Sequence, residues 1–110
     1  MIIKPKYVYI AGPYSKGYVV TNVQNAVKAA DILVVFGHIP YIPHLTMVWD
    51  MISLHPYDFW VEQDNKWLLK CDCVLRLEGE SEGADREVEL AKANDIPVFY
   101  SIDELLYTDR

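Results

Sequence analysis

Strand-like and helix-like patterns alternate along the chain. The segment 6–12 (KYVYIAG) is a short apolar run that closes on a glycine and reads as a strand. From 21 to 36, Val23, Ala26, Val27, Ala30, Leu33 and Val34 recur at helical spacing, with Thr21 or Asn22 as N-cap and Gly37 as the stop. A second strand is expected over 38–42, cut off by Pro43. The bulky stretch 45–54 predicts a short helix or a lid, broken by His55-Pro56. A longer helix follows over 58–70, then a strand over 73–77 (CVLRL), a loop over 78–83 and a helix over 84–94. A strand over 97–100 and a short helix over 102–106, capped by Ser101, complete the pattern.

Strands that alternate with helices imply a parallel sheet joined by right-handed crossovers. The expected fold class is α/β: a three-layer sandwich around a four- to five-stranded parallel sheet, flavodoxin- or Rossmann-like. Ligands of such folds bind beyond the carboxyl ends of the strands, where the strand order reverses. That directs attention to the loops 12–17 and 78–83.

Two residues break the apolar pattern. In the helix from Ala84, the inner face carries Ala84, Val88 and Ala91, and Glu87 falls on that same face. A carboxylate there is costly unless something uses it. The plain alternative is a Glu that reaches outward or pairs with Arg76 or Arg86. In the helix from Asp58, Val61, Leu68 and Cys71 mark the apolar face, and Asp64 lies on it. The alternative for Asp64 is a buried Asp bonded to backbone. A pair of such carboxylates suits glycosyl transfer. One attacks the anomeric carbon, and the other, kept protonated by burial and by its neighbour, gives a proton to the leaving group.

The loop Gly79-Glu80-Ser81-Glu82-Gly83 precedes the Glu87 helix and offers backbone N–H groups and the Ser81 hydroxyl to an anion, or simply caps the helix. The first loop, Gly12-Pro13-Tyr14-Ser15-Lys16-Gly17, lacks the glycine spacing of a Walker A or dinucleotide motif. His38, His44 and His55 have no metal-site spacing, so no metal and no cofactor are expected. Among the many aromatics most are core candidates, while Tyr14 and Trp49 are candidates for stacking on a base.

Composition narrows the classes. The chain has 110 residues, enough for one domain over 1–110, and 52% are hydrophobic, which argues against disorder. No apolar run reaches the roughly 20 residues of a membrane span. The start Met1-Ile2-Ile3-Lys4-Pro5 runs into the first strand without a leader pattern, so no signal peptide is expected. A net charge of −6 argues against nucleic-acid polymers as partners. Cys71 and Cys73 are read as buried free thiols in a reducing cytoplasm.

Three segments carry a resemblance. Tyr7-Val8-Tyr9-Ile10-Ala11-Gly12-Pro13-Tyr14-Ser15, then Glu62-Gln63-Asp64 with Trp67-Leu68 and Asp72, then Ser81-x-Gly83-x-x-x-Glu87 resemble the motifs of the nucleoside 2-deoxyribosyltransferase-like superfamily. The chain looks similar to small phage and bacterial members and to the 2′-deoxynucleoside 5′-phosphate N-hydrolases. The resemblance implies Glu87 as the nucleophile of a glycosyl-enzyme intermediate. It implies Asp64 as the residue that handles the proton or positions the sugar, and Tyr9 as the group that orients Glu87. Ser81 and Gly83 would bind the 5′ side, and the first loop (Gly12, Tyr14, Ser15, Lys16) would also contact substrate. The N-hydrolases carry a basic residue in that loop where this chain has Ser15, with Lys16 beside it. The stretch 43–57, which holds His44 and Trp49, is unlike those enzymes and is expected to shape the base pocket or a lid. Asp85 and Arg86 stand where relatives often have small or apolar residues.

The expected activity is cleavage of the N-glycosidic bond of a (deoxy)nucleoside or its 5′-monophosphate, with transfer to another base or to water. A non-catalytic nucleotide-binding or sensing module is the alternative. Relatives also imply a homo-oligomer, a dimer or larger.

Overall fold

A computed structural model describes residues 4–107; Met1 to Ile3, part of the segment read above as leaderless, lie outside the described residues. Four strands, β1 (Tyr7–Ala11), β2 (Ile39–Tyr41), β3 (Cys73–Arg76) and β4 (Val98–Phe99), form one sheet in the order β2-β1-β3-β4. Every pairing is parallel. The helices are α1 (Val19–Val35), α2 (Thr46–Ile52), α3 (Tyr57–Leu68), α4 (Glu82–Ala93) and α5 (Ile102–Tyr107), with a 3-10 turn at Pro43–Leu45 before α2. This is the expected α/β architecture, with four strands among the described residues.

The pleat of β1 sorts its side chains between two cores. Val8 and Ile10 join Ala26, Ala30 and Leu33 of α1 and Leu105 of α5 on one face. Tyr9 and Ala11 join Leu68 of α3 and Ala84 and Ala91 of α4 on the other. Small residues on α1 and α4 let both helices lie close to the sheet. The predicted inner face of α4, Ala84, Val88 and Ala91, is buried in full.

Several boundaries differ from expectation. α1 starts at Val19 with Tyr18 as N-cap and no side-chain cap. Asn22, expected to cap the helix, instead donates through Nδ2 to the carbonyls of Tyr14 (2.8 Å) and Lys16 (2.7 Å) and so braces the first loop. Val34, placed on the inner face by spacing, is 57% exposed. α4 begins at Glu82 because the Ser81 hydroxyl accepts from the Ala84 N–H at 3.1 Å and caps it. Ser101 caps α5 as expected, accepting from the Glu104 N–H at 3.0 Å. Both cysteines are free, but only Cys73 is buried; Cys71 is half-buried.

The order of the strands sets the position of the site. From β1 the chain moves to β2 on one side and later to β3 on the other, so the order reverses between β1 and β3. Beyond their carboxyl ends, Gly79 (φ +117°) holds its loop so close to the first that a Cβ there would lie 2.7 Å from Pro13 Cγ. The two loops thus form one rim.

Candidate active site

Tyr9 sits at the centre of the β1 ladder, in register with Tyr41 of β2 and Val74 of β3. Its ring is fully buried and lies 5.6 Å from that of Tyr41, which in turn stacks on Trp67 at 5.2 Å. The Tyr9 hydroxyl donates to Glu87 Oε2. Burial, and then the Glu87 charge, push Tyr9 well above the usual tyrosine range, so it remains a donor at all ordinary pH.

Glu87 is half-buried on the sheet-facing side of α4 and takes up neither alternative partner. Arg76 is bound to Asp85 (3.0 Å) and to the carbonyl of Gly79 (2.9 Å), and Arg86 donates to the Tyr57 hydroxyl (3.0 Å). Burial raises Glu87 to about 7; the Tyr9 bond opposes the rise and the Asp64 charge adds to it. Asp64, on the inner side of α3, accepts from the Tyr41 hydroxyl at 3.3 Å rather than from backbone. Burial raises it to about 6, against the effect of the Tyr41 bond. Both carboxyls therefore titrate close to neutrality, as acid–base groups in a partly closed site do.

Glu87 and Asp64 face one cavity of about 710 Å³. Gly12, Tyr14, Ser15 and Lys16 line it from the first loop, and Ser81 and Gly83 from the start of α4. Ser81 uses one of its two lone pairs on the cap and keeps its hydroxyl hydrogen to donate. A Cβ at Gly83 would meet open space, so the helix terminus there is unobstructed. Lys16 is paired with Glu80 at 3.3 Å, both well exposed. His44 also lines the cavity; it is 5% exposed, donates through Nε2 to the Pro13 carbonyl at 3.1 Å, and leaves Nδ1 without a partner among the described residues. Burial lowers its pKa, which keeps the ring neutral.

Trp49 is one expected site residue that the cavity lining does not include. It stands outside the cavity lining, half-exposed, because its indole packs edge-on against Trp60 (5.0 Å) and Phe59 (6.0 Å). Tyr9 does not line the cavity either; it lies beneath and touches Glu87 from below. Sequence reasoning missed Tyr41, Asp50, Trp60 and Arg86. Tyr41 is identified only by its register with Tyr9, and Asp50 only by a fold that brings α2 against α3. Among the described residues no group of three His, Cys, Asp or Glu is placed to hold a metal ion, and no helix is long and apolar enough to cross a membrane.

Comparison with solved structures finds a 2-deoxyribosyltransferase from the psychrotolerant bacterium Bacillus psychrosaccharolyticus with the same fold. The two superpose with a TM-score of 0.72 at 15% sequence identity, covering 94% of this chain and 92% of that one. An identity this low speaks for the fold alone. No curated protein matches the chain. A family model does match, over residues 6–101, which include every candidate site residue discussed above; the chain belongs to the family described as a domain of unknown function, DUF7768.

Proposed function

We propose that the chain is one catalytic domain that cleaves the N-glycosidic bond of a (deoxy)nucleoside through a covalent glycosyl–Glu87 intermediate. The observation that supports this most directly is the buried Tyr9 hydroxyl bonded to Glu87 beneath a cavity that Asp64 also faces. Tyr9 occupies Oε2 and leaves Oε1 for attack. In the first step Oε1 bonds to C1′ and the C1′–N bond breaks. Its electron pair goes to the base, which leaves with the Asp64 proton. In the second step water attacks C1′, gives its proton to the Asp64 carboxylate, and releases Glu87. A second base that attacks in place of water gives transfer. The fold of the 2-deoxyribosyltransferase supports a sugar–base substrate.

The charges around the rim favour a 5′-hydroxyl over a 5′-phosphate. Lys16 is already paired with Glu80, and Glu82 lies beside the open start of α4, so a phosphate there would face carboxylates. We further propose a cytoplasmic homo-oligomer.

The test incubates the protein with deoxynucleosides and their 5′-monophosphates, with and without an acceptor base, and follows free base by chromatography. Release from nucleosides, abolished in Glu87→Ala, is expected. Binding without release in the wild type would identify a non-catalytic module. Equal release by Glu87→Ala would remove Glu87 from its role.

A further inference from the structure

The cavity has a second polar end that the carboxylate pair does not use. Asp50, on α2, lines it together with Met47, Tyr57 and Trp60. One Asp50 oxygen, Oδ1, accepts from both the His55 N–H (3.0 Å) and the Trp60 indole N–H (2.8 Å). The first of these bonds, then the second, hold the carboxyl below the usual range, so it stays ionised. The other oxygen, Oδ2, has no donor among the described residues.

Tying α2 to α3 requires only one acceptor oxygen, and an amide would serve equally. The negative charge and the second oxygen are left for something else. Their position is informative. Trp60 lies one turn before Asp64 on α3, so the Asp50 clamp is displaced by roughly 6 Å along the helix from the carboxylate pair. That is on the scale of a nucleobase ring attached at the reacting carbon. Across the cavity, on α4, Ser81 and Gly83 lie one turn before Glu87. A sugar bound on the α4 side leaves the α2–α3 side, lined by Asp50, Met47, Tyr57 and Trp60, for its base.

We infer that Asp50 is a specificity-determining residue whose Oδ2 accepts from the exocyclic amine of the base, so that the site selects amino-bearing bases over their oxo counterparts. The inference rests on the proposed nucleoside reading. A fixed carboxylate only accepts hydrogen bonds; an amine satisfies it, whereas a carbonyl oxygen in the same place meets it lone pair to lone pair. Two matched pairs isolate this difference: deoxycytidine against deoxyuridine, and deoxyadenosine against deoxyinosine.

The experiment measures binding of all four nucleosides by calorimetry, and base release in parallel, for the wild type and Asp50→Asn. The variant keeps an Oδ1 acceptor for His55 and Trp60, so its thermal unfolding midpoint is expected close to that of the wild type. The wild type is expected to favour the amino member of each pair by about tenfold or more. Asp50→Asn is expected to lose that preference or reverse it, because an amide also donates. Binding without an amino preference in the wild type overturns the inference, whatever the variant does. So does a preference that Asp50→Asn leaves unchanged, or a failure of all four to bind. Should the preference appear and vanish as expected while no base is ever released, the cleavage reading fails and the Asp50 contact stands.

Discussion

Burial raises Glu87 to about 7 and Asp64 to about 6, so over the neutral range the two carboxyls share a proton between them. The proposed reaction requires Glu87 ionised and Asp64 protonated; the higher value at Glu87 puts the shared proton mainly on Glu87, and the Tyr9 bond, which lowers Glu87, opposes that bias. kcat/KM should therefore follow a bell-shaped pH profile with its maximum between about 6 and 7. Tyr9→Phe removes the donor, so the Glu87 titration should move upward and kcat should fall about ten- to hundredfold. A pH–rate series on both proteins checks this; an unshifted profile in the variant would mean that Tyr9 does not act on Glu87. The same burial has a cost in stability. The folded pKa of about 7 lies above the ordinary 4.5, so the folded state holds its proton more tightly. The stability this gives is present at low pH and is lost as pH rises from about 4.5 through about 7. Glu87→Gln should thus stabilise the protein by on the order of 2 kcal/mol at pH 8 and by little at pH 4. Thermal melts at the two pH values measure the difference, and equal shifts at both would contradict it.

At the scale of elements, the site depends on two loops and the start of one helix. Asn22 fixes the first loop from within α1, and Gly79 permits the second loop to touch Pro13. Gly79→Ala combines a positive φ with a Cβ only 2.7 Å from Pro13 Cγ. It should cost about 1–3 kcal/mol and weaken substrate binding through the displaced rim. Chemical denaturation and KM together test this; an unaltered midpoint would show that the loops yield without cost. Elements were largely legible from periodicity, and the inner face of α4 was read correctly because Ala84, Val88 and Ala91 are buried as spaced. Boundaries were less so. Asn22 looked like a cap because its side chain suits one, yet its two acceptors belong to a loop whose path no local pattern specifies.

Across the whole molecule, apolar side chains remain uncovered around α2. Met51, Ile52 and Leu54 are 77, 83 and 85% exposed, and Val48, Trp49 and Tyr57 stand beside them half-exposed or more. Such a patch on a chain of this size is expected to be buried between copies. Light scattering should show a dimer or larger assembly. Met51→Lys with Ile52→Lys should shift it to monomer while the fold remains intact by circular dichroism. A monomeric wild type would refute the expectation.

The sequence alone determined the alternation of strands and helices, and hence a parallel α/β sheet with its ligand end at two identifiable loops. It also marked Glu87 and Asp64, because a carboxylate on an apolar helix face is a conflict visible in spacing alone. It singled out Trp49, which stands outside the cavity lining, and gave no sign of Tyr41 or Asp50. Those were decided by strand register and by the packing of α2 on α3. Both are long-range choices, made by which surfaces meet, and local periodicity carries no information about them. For the same reason the choice between an arginine partner and Tyr9 for Glu87 was settled only when the chain folded: Arg76 found Asp85, Arg86 found Tyr57, and the pleat of β1 brought the Tyr9 hydroxyl beneath the carboxylate.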